Sequence, residues 1–292
     1  MRKTVTLEEA KSLPIWKQPI ALLFVMTAAM PISFAVWSAL LNNFTIEVLD
    51  FDGSHIGWLH SIREIPGFLA VGVIAIILFI HEQVLGLFSL LLLGMATAVT
   101  AWFPEMTGVL IITMLSSIGF HYYETVNQSL QLQWLTKKEA PQKLGLLVAA
   151  GSSATLVAYV LIVLGWKIFN LSYNFVYMVA GGITVLVTLY CLFMFPRFIA
   201  PHPQLKKMVL RRRYWLYYSL QFMAGARRQI FFVFAGFMMV EHFGFEVYQV
   251  TSLYLINLVM NIILAPVFGK AVGYFGERNA LLFEYLGLTA VF

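Results

Sequence analysis

This chain has 292 residues, of which 60% are apolar and only 11% charged, too little charge to cover the surface of a water-soluble domain. The apolar residues come in runs of about twenty, long enough to cross a bilayer as helices, without the alternation over about ten residues that marks barrel strands. The net charge of +5 is carried almost wholly beside the ends of those runs, which argues against nucleic-acid binding; the single cysteine, Cys191, lies inside a run, so disulfides play no part.

The expected class is an all-α integral membrane protein. Residues 1–18 carry Arg2, Lys3, Lys11 and Lys17 and no small-residue cleavage site near the first apolar run, so they read as a cytosolic tail rather than a removed signal peptide. Spans are predicted at 19–42, 56–80, 84–103, 107–135, 144–166, 172–195, 214–240 and 248–268. A ninth begins near residue 280 and reaches Phe292, well short of the roughly 20 residues a crossing needs, so the chain reads as truncated or as a fragment. Basic residues gather on alternate connections: the tail, then Lys137, Lys138 and Lys143, then Arg197 through Arg213, then Lys270 and Arg278. By the positive-inside rule the N-terminus is cytosolic, in a cytoplasmic (inner) membrane. Trp16, Trp134 and Trp215 fall at inner span ends and Trp58, Trp102 and Trp166 at outer ones, as aromatic belts do. The stretch 196–213, with Pro196, Pro201, Pro203 and a dense basic cluster, is a cytosolic linker that divides a bundle over 19–195 from a partial bundle over 214–292.

Polar residues inside the spans are the candidate site. Asn42 and Asn43 end the first span and His60 begins the second, lining a pathway or marking the outer interface. Arg63 and Glu64 follow, with Pro66 beside them, which is expected to bend the helix and free a carbonyl. Being adjacent on a helix they point about 100° apart and are expected to find partners on other helices rather than on each other. Arg63 is thus a candidate substrate contact or one half of a structural salt bridge. In the fourth span His121, Glu124, Asn127, Gln128 and Gln131 share one helical face, which cannot look at lipid. It is either a substrate or proton path or an interhelical hydrogen-bond network. Glu64, Glu124 and His121 are the candidate proton carriers, since burial favours a protonated carboxyl and a nearby arginine an ionised one.

Arg227 and Arg228 lie about thirteen residues into the seventh span, near the middle of a ~30 Å hydrocarbon layer. A charge there costs at least about 2.5–3.5 kcal/mol. One of them is expected to bind an anionic group on a substrate, because a guanidinium fork matches carboxylate or phosphate; the alternative is a buried ion pair that fixes packing. Gln229, and Asn257 with Asn261 four residues apart in the eighth span, would line the same cleft. The sequence holds no HExxH, no Gly-x-Ser-x-Gly and no intramembrane aspartate pair, so an enzyme or a metal centre is not expected. Nor does it hold a glycine-rich phosphate loop with a lysine, so no ATP or other cofactor is expected.

Two local patterns carry a family resemblance. After the eighth span come Gly269, Gly276, Glu277 and Arg278, with Gly273 between them. They resemble the cytosolic loop signature of the major facilitator superfamily, with Gly273 where an acidic residue is usual. Glycines suit such a turn because they accept positive φ and let helices approach closely. The segment from Lys138 to Gly145, followed by the small residues Ala149 to Ala154, is similar to that family's connection from span four into span five; small residues also serve close helix packing in general. Between spans two and three, where the signature is normally strongest, stands FIHEQVLG over 79–86. With six spans, a long basic connection and a second set of spans, the chain resembles this superfamily from about residue 19 to 292. The resemblance implies an MFS-like six-helix N-terminal bundle plus a partial C-terminal bundle, rocking about a central site by alternating access. It also implies a small-molecule substrate and a gating-loop role for Gly269, Gly276 and Arg278; a monomer in the lipid bilayer is expected, with proton coupling through Glu64 or Glu124 as an accessory hypothesis and symport, antiport and uniport left open. The expected function is secondary active transport of a small anionic or amphipathic solute. The alternative is a non-transporting sensor or assembly component of the same fold.

Overall fold

The computed structural model describes residues 4–136, 139–199, 211–275 and 277–291. The chain opens with a short strand, β1 (Thr4–Thr6), and a one-turn helix, α1 (Leu7–Ala10), whose first turn Thr6 and Glu9 cap reciprocally. Helix α2 (Pro19–Leu49) starts on Pro19, whose missing N–H costs nothing in a first turn. It ends at Asp50, in left-handed backbone with φ 53°, from which the Phe51 N–H returns to the Thr45 carbonyl at 3.0 Å. Asp52 then caps α3 (Gly53–Phe68), accepting from the His55 amide at 2.9 Å.

The second span is not the single helix predicted over 56–80. Helix α3 gives way to a 3₁₀ turn at Leu69–Gly72 before α4 (Val73–Ile76), and together they make one crossing, Gly53–Ile76. Pro66 supplies no N–H and Gly67 and Gly72 hold a helix poorly, so the bonding tightens locally.

Helices α5 (Glu82–Val99), α6 (Met106–Trp134), α7 (Ala140–Phe169) and α8 (Tyr173–Met194) complete the first bundle. Lipid is as apolar as leucine, so close backbone approach and buried hydrogen bonds hold such helices together. Gly119 of α6 sits where a Cβ would come within 2.6 Å of the Leu93 nitrogen and 2.7 Å of the Ser89 carbonyl oxygen of α5. Ser33 of α2 donates to Thr184 of α8 at 2.8 Å.

After α8 comes β2 (Arg197–Ile199), which pairs in parallel with β1, Val5 opposite Phe198. Both of those side chains are buried. Gln83, buried near the start of α5, accepts from the Phe198 N–H at 2.9 Å and donates to the Pro196 carbonyl at 2.9 Å. The tail from Thr4 onward is therefore docked, with the start of the linker, on one end of the bundle.

Helices α9 (Trp215–Glu241), α10 (Val247–Phe275) and α11 (Glu277–Val291) follow. Helix α10 runs along α7, where the Tyr159 and Tyr254 rings are 6.0 Å apart. At the end of the molecule away from the tail, Phe237 and Val247 are buried in one cluster with Phe44, Phe51 and Tyr177. The first turns of α9, Trp215 to Leu220, are exposed. Among the described residues, seven stretches are long and apolar enough to cross a membrane, and the all-α membrane class stands.

Candidate functional site

Arg63 sits two turns before the break in α3, on the side that meets α2 and α6. Its guanidinium lies over two rings of α2, 4.7 Å from the centroid of Trp37 and 5.8 Å from that of Phe34. A desolvated contact of this kind is worth about 2 kcal/mol. Its backbone carbonyl accepts from the Ser117 hydroxyl of α6 in a short hydrogen bond. Its Nη1 lies 2.8 Å from Glu64 Oε1.

The expectation that these neighbours would not pair with each other is thus overturned. The 100° that separates adjacent residues describes where the Cβ atoms point. An arginine is long enough to curl back along its own helix, and Glu64 lies within that reach. The Arg63 side chain is 11% exposed and that of Glu64 33%, so the cation is held in the protein while the carboxylate keeps an opening to the surroundings.

Beside the pair lies a small pocket, lined by Phe34, Trp37, Arg63, Thr113, Ser117 and Phe120 among others, with room for about one water molecule. Phe34 stacks on Phe120 with centroids 4.8 Å apart, so an aromatic wall joins α2 to α6. Buried polar atoms without a hydrogen-bond partner gather in this region: Thr113 Oγ1 in the pocket, His60 Nδ1 one turn before Arg63, and His121 Nε2 next to Phe120. The His60 ring stands edge-on to Trp37 at 6.1 Å. Gly67 leaves space for His121, since a Cβ there would come within 3.1 Å of the ring. Buried polar groups are nearly always met by protein or by water, and the pocket beside these atoms has room for about one water molecule.

The polar face of α6 is only partly the single surface that was expected. It forms an arc from buried Asn127, whose Oδ1 has no partner, through half-buried His121, Glu124 and Gln131 to exposed Gln128. His121 reaches the Arg63 region. Toward the tail end, Ser129 donates to Glu82 of α5 at 3.2 Å and Gln133 makes a short bond to the same carboxylate. That clamp explains the polar end of α6 structurally. Asn257 and Arg278 are exposed. The side chains of Arg227, Arg228, Gln229 and Asn261, along with Gly269 and Gly276, lie outside the described residues.

Sequence reasoning missed Phe34, Trp37 and Phe120. Aromatic residues three apart in an apolar helix read as lipid-facing until a cation is seen above them.

The family model of the Major Facilitator Superfamily matches residues 20–292. The chain belongs to the Major Facilitator Superfamily. Among solved structures, a mutant form of the nucleoside transporter NupG shares this fold with a TM-score of 0.68 at 13% identity, over 90% of this chain and 70% of that one. A bacterial homologue of the human lysosomal transporter Spinster, in an inward-facing and occupied conformation, gives 0.64 at 12% identity, over 89% of this chain and 62% of that one. The chain thus spans less than two thirds of the Spinster homologue. Among curated proteins none matches the sequence. At such identities the likeness is one of fold alone; the family match, with seven helices long and apolar enough to cross a membrane among the described residues, makes the protein a multi-pass membrane protein of that superfamily.

Proposed function

We propose that the protein is a secondary active transporter of a small amphipathic solute, moved by alternating access across a cytoplasmic membrane with the tail side in the cytosol. The observation that carries this reading is the Arg63–Glu64 pair, held against the Phe34–Trp37–Phe120 wall beside unpartnered polar atoms. A structural ion pair needs no pocket, and a structural aromatic cluster needs no charge. Both together suit a solute with a flat apolar part and a polar or anionic group. Glu64 balances Arg63 in this state, so an anionic group on the solute takes the place of that carboxylate on the guanidinium. The displaced Glu64, one third exposed, is the natural proton acceptor, with His121 beside it. Arg227 and Arg228 enter from the sequence as the matching cations of the second bundle. NupG is a nucleoside transporter, and a nucleoside is such a ring-bearing polar solute, which makes nucleosides the first class to try beside organic anions.

The test is counterflow of radiolabelled nucleosides and organic anions in proteoliposomes, with and without a pH gradient. Uptake of at least one class is expected, weakened in Arg63→Lys and uncoupled from the gradient in Glu64→Gln. Uptake that ignores both substitutions would remove this pair from the pathway. No movement of any solute in either class would favour the sensor or assembly role.

A further inference from the structure

The pocket beside Arg63 holds a hydroxyl that nothing in the described protein uses. A threonine inside a helix commonly donates to the carbonyl four residues back and so satisfies itself within its own helix. Six of the seven buried threonines among the described residues do this, at 2.7–3.2 Å. Thr113 of α6 is the exception. It is 2% exposed, and its Oγ1 has no hydrogen-bond partner. One turn further along α6, the Ser117 hydroxyl is committed to the Arg63 carbonyl. Both side chains line the pocket, and the Thr113 hydroxyl is left over.

A buried hydroxyl left unmet is costly, so a helix that only had to pack here would turn it onto the Val109 carbonyl or carry valine in its place. The space beside it has room for about one water molecule. A hydroxyl group is the part of an organic solute closest to water in size and in hydrogen bonding. Replacing a water by a group that reproduces its bonds keeps affinity. The Arg63 guanidinium and the Phe34–Phe120 wall border the same pocket. A ring laid on that wall therefore brings a hydroxyl carried near its polar end to Thr113.

We propose that Thr113 is a solute-binding residue whose side chain hydrogen-bonds a hydroxyl group of the solute, a role that rests on the transport reading of this site. It narrows the solute class to ring-bearing compounds with a hydroxyl beside their polar or anionic end. Two pairs of compounds that differ in hydroxyl groups alone test this: uridine with its dideoxy counterpart, and mandelate with phenylacetate. Binding of each radiolabelled compound to the solubilised full chain is measured at equilibrium. The hydroxylated member of at least one pair is expected to bind about tenfold more tightly, as one well-made hydrogen bond allows. Thr113→Val, which keeps the shape and removes the hydroxyl, is expected to erase that ratio by weakening the hydroxylated member alone. Thr113→Ser is expected to restore it. Equal weakening of both members would mark a packing effect, and an unchanged ratio would put Thr113 outside the site; either overturns the proposal.

A second arm needs no solute. Because the hydroxyl is uncommitted, Thr113→Val is expected to hold the unfolding midpoint or raise it by up to about 4 °C, read through the buried Cys191. Thr184→Val, which takes from Ser33 an acceptor at 2.8 Å, is expected to lower it. A fall in Thr113→Val like that in Thr184→Val would mark a structural hydroxyl and overturn the proposal, and this arm decides alone if none of the four compounds binds. Uptake in proteoliposomes separates the two readings. A hydroxyl preference in binding with no uptake removes transport and leaves the subsite, whereas uptake that keeps the same preference in Thr113→Val removes the subsite alone.

Discussion

Neutralising Glu64 is the perturbation that most directly separates a held ion pair from an incidental one. In Glu64→Gln the Arg63 cation, only 11% exposed, stays pinned over Trp37 and Phe34 while its carboxylate neighbour at 2.8 Å is gone. Removing one member of a fully buried pair costs about 3–5 kcal/mol. Glu64 keeps 33% of its side-chain surface, so some of its charge is already screened. The aromatic contact also remains, which brings the expected cost down to about 2–3 kcal/mol. Arg63→Met should cost less, about 1–2 kcal/mol, because the carboxylate left behind can turn outward. The double substitution Arg63→Met with Glu64→Gln should be more stable than the sum of the two, since no buried charge is left behind. The native Cys191, buried in the first bundle, supplies the assay: a thiol-reactive fluorophore reports its exposure as detergent-solubilised protein is heated. Glu64→Gln is expected to lower the midpoint by roughly 4–12 °C at about 2–4 °C per kcal/mol. An unmoved midpoint, or a double variant worse than additive, would refute the pair as a held element and leave Arg63 anchored by its rings alone.

Three further outcomes follow from the same structure. Gln83→Leu removes both bonds to the Pro196 carbonyl and the Phe198 amide; at about 1–3 kcal/mol for each buried group left unmet, β2 should detach. Limited proteolysis after Phe198 should then accelerate in the variant and not in Gln133→Leu. Gly119→Ala places a methyl 2.6 Å from backbone nitrogen in α5, which cannot move aside as a side chain can; a loss of about 1–3 kcal/mol is expected, read as a lower midpoint, with Gly57→Ala as the neutral control because nothing lies near it. The Asp52 carboxyl is held below its usual range of 3.8, chiefly by the hydrogen bond from the His55 amide. A group with a lowered folded-state pKa lends stability above its unfolded value and loses it as pH falls through the folded one. Protection of the His55 amide relative to its intrinsic exchange rate should therefore hold at neutral pH and fall only in acid below that value, a fall that Asp52→Asn removes.

Spans were legible in the sequence because one property, desolvation over about twenty residues, decides them without reference to neighbours. The same logic singled out Arg63, Glu64 and His121 as candidates, since a charge at that depth must be answered by something. What answered them was not legible. The helical wheel places Cβ atoms, and the Arg63–Glu64 bond depends on the end of a long side chain. Phe34 and Trp37 are two aromatics in a helix already rich in apolar residues, and only α3 crossing above them makes them a cation's seat. The β1–β2 pairing joins Thr4–Thr6 to Arg197–Ile199 across the whole first bundle. Three-residue strands leave no period to detect. The break at Leu69–Gly72 was half visible: Pro66 predicted a bend, but a bend and a change to 3₁₀ bonding have the same signature in sequence.

The pocket and the contact with the second bundle share one helix. On α2, Phe34 and Trp37 face the Arg63 guanidinium, and within the next two turns Asn42 meets Gly236 of α9 while Asn43 donates to the Phe245 carbonyl. Helices are stiff over such a distance, so α2 cannot move at Trp37 and stay still at Asn42. The break in α3 sits on the other side of the pocket, toward the tail, where Gly67 meets His121. Arg63 thus lies between a helix tied to the second bundle and a weakened one, broken at Leu69–Gly72. A solute that changed the position of the guanidinium would therefore act on α2 as a lever and on α3 as a hinge.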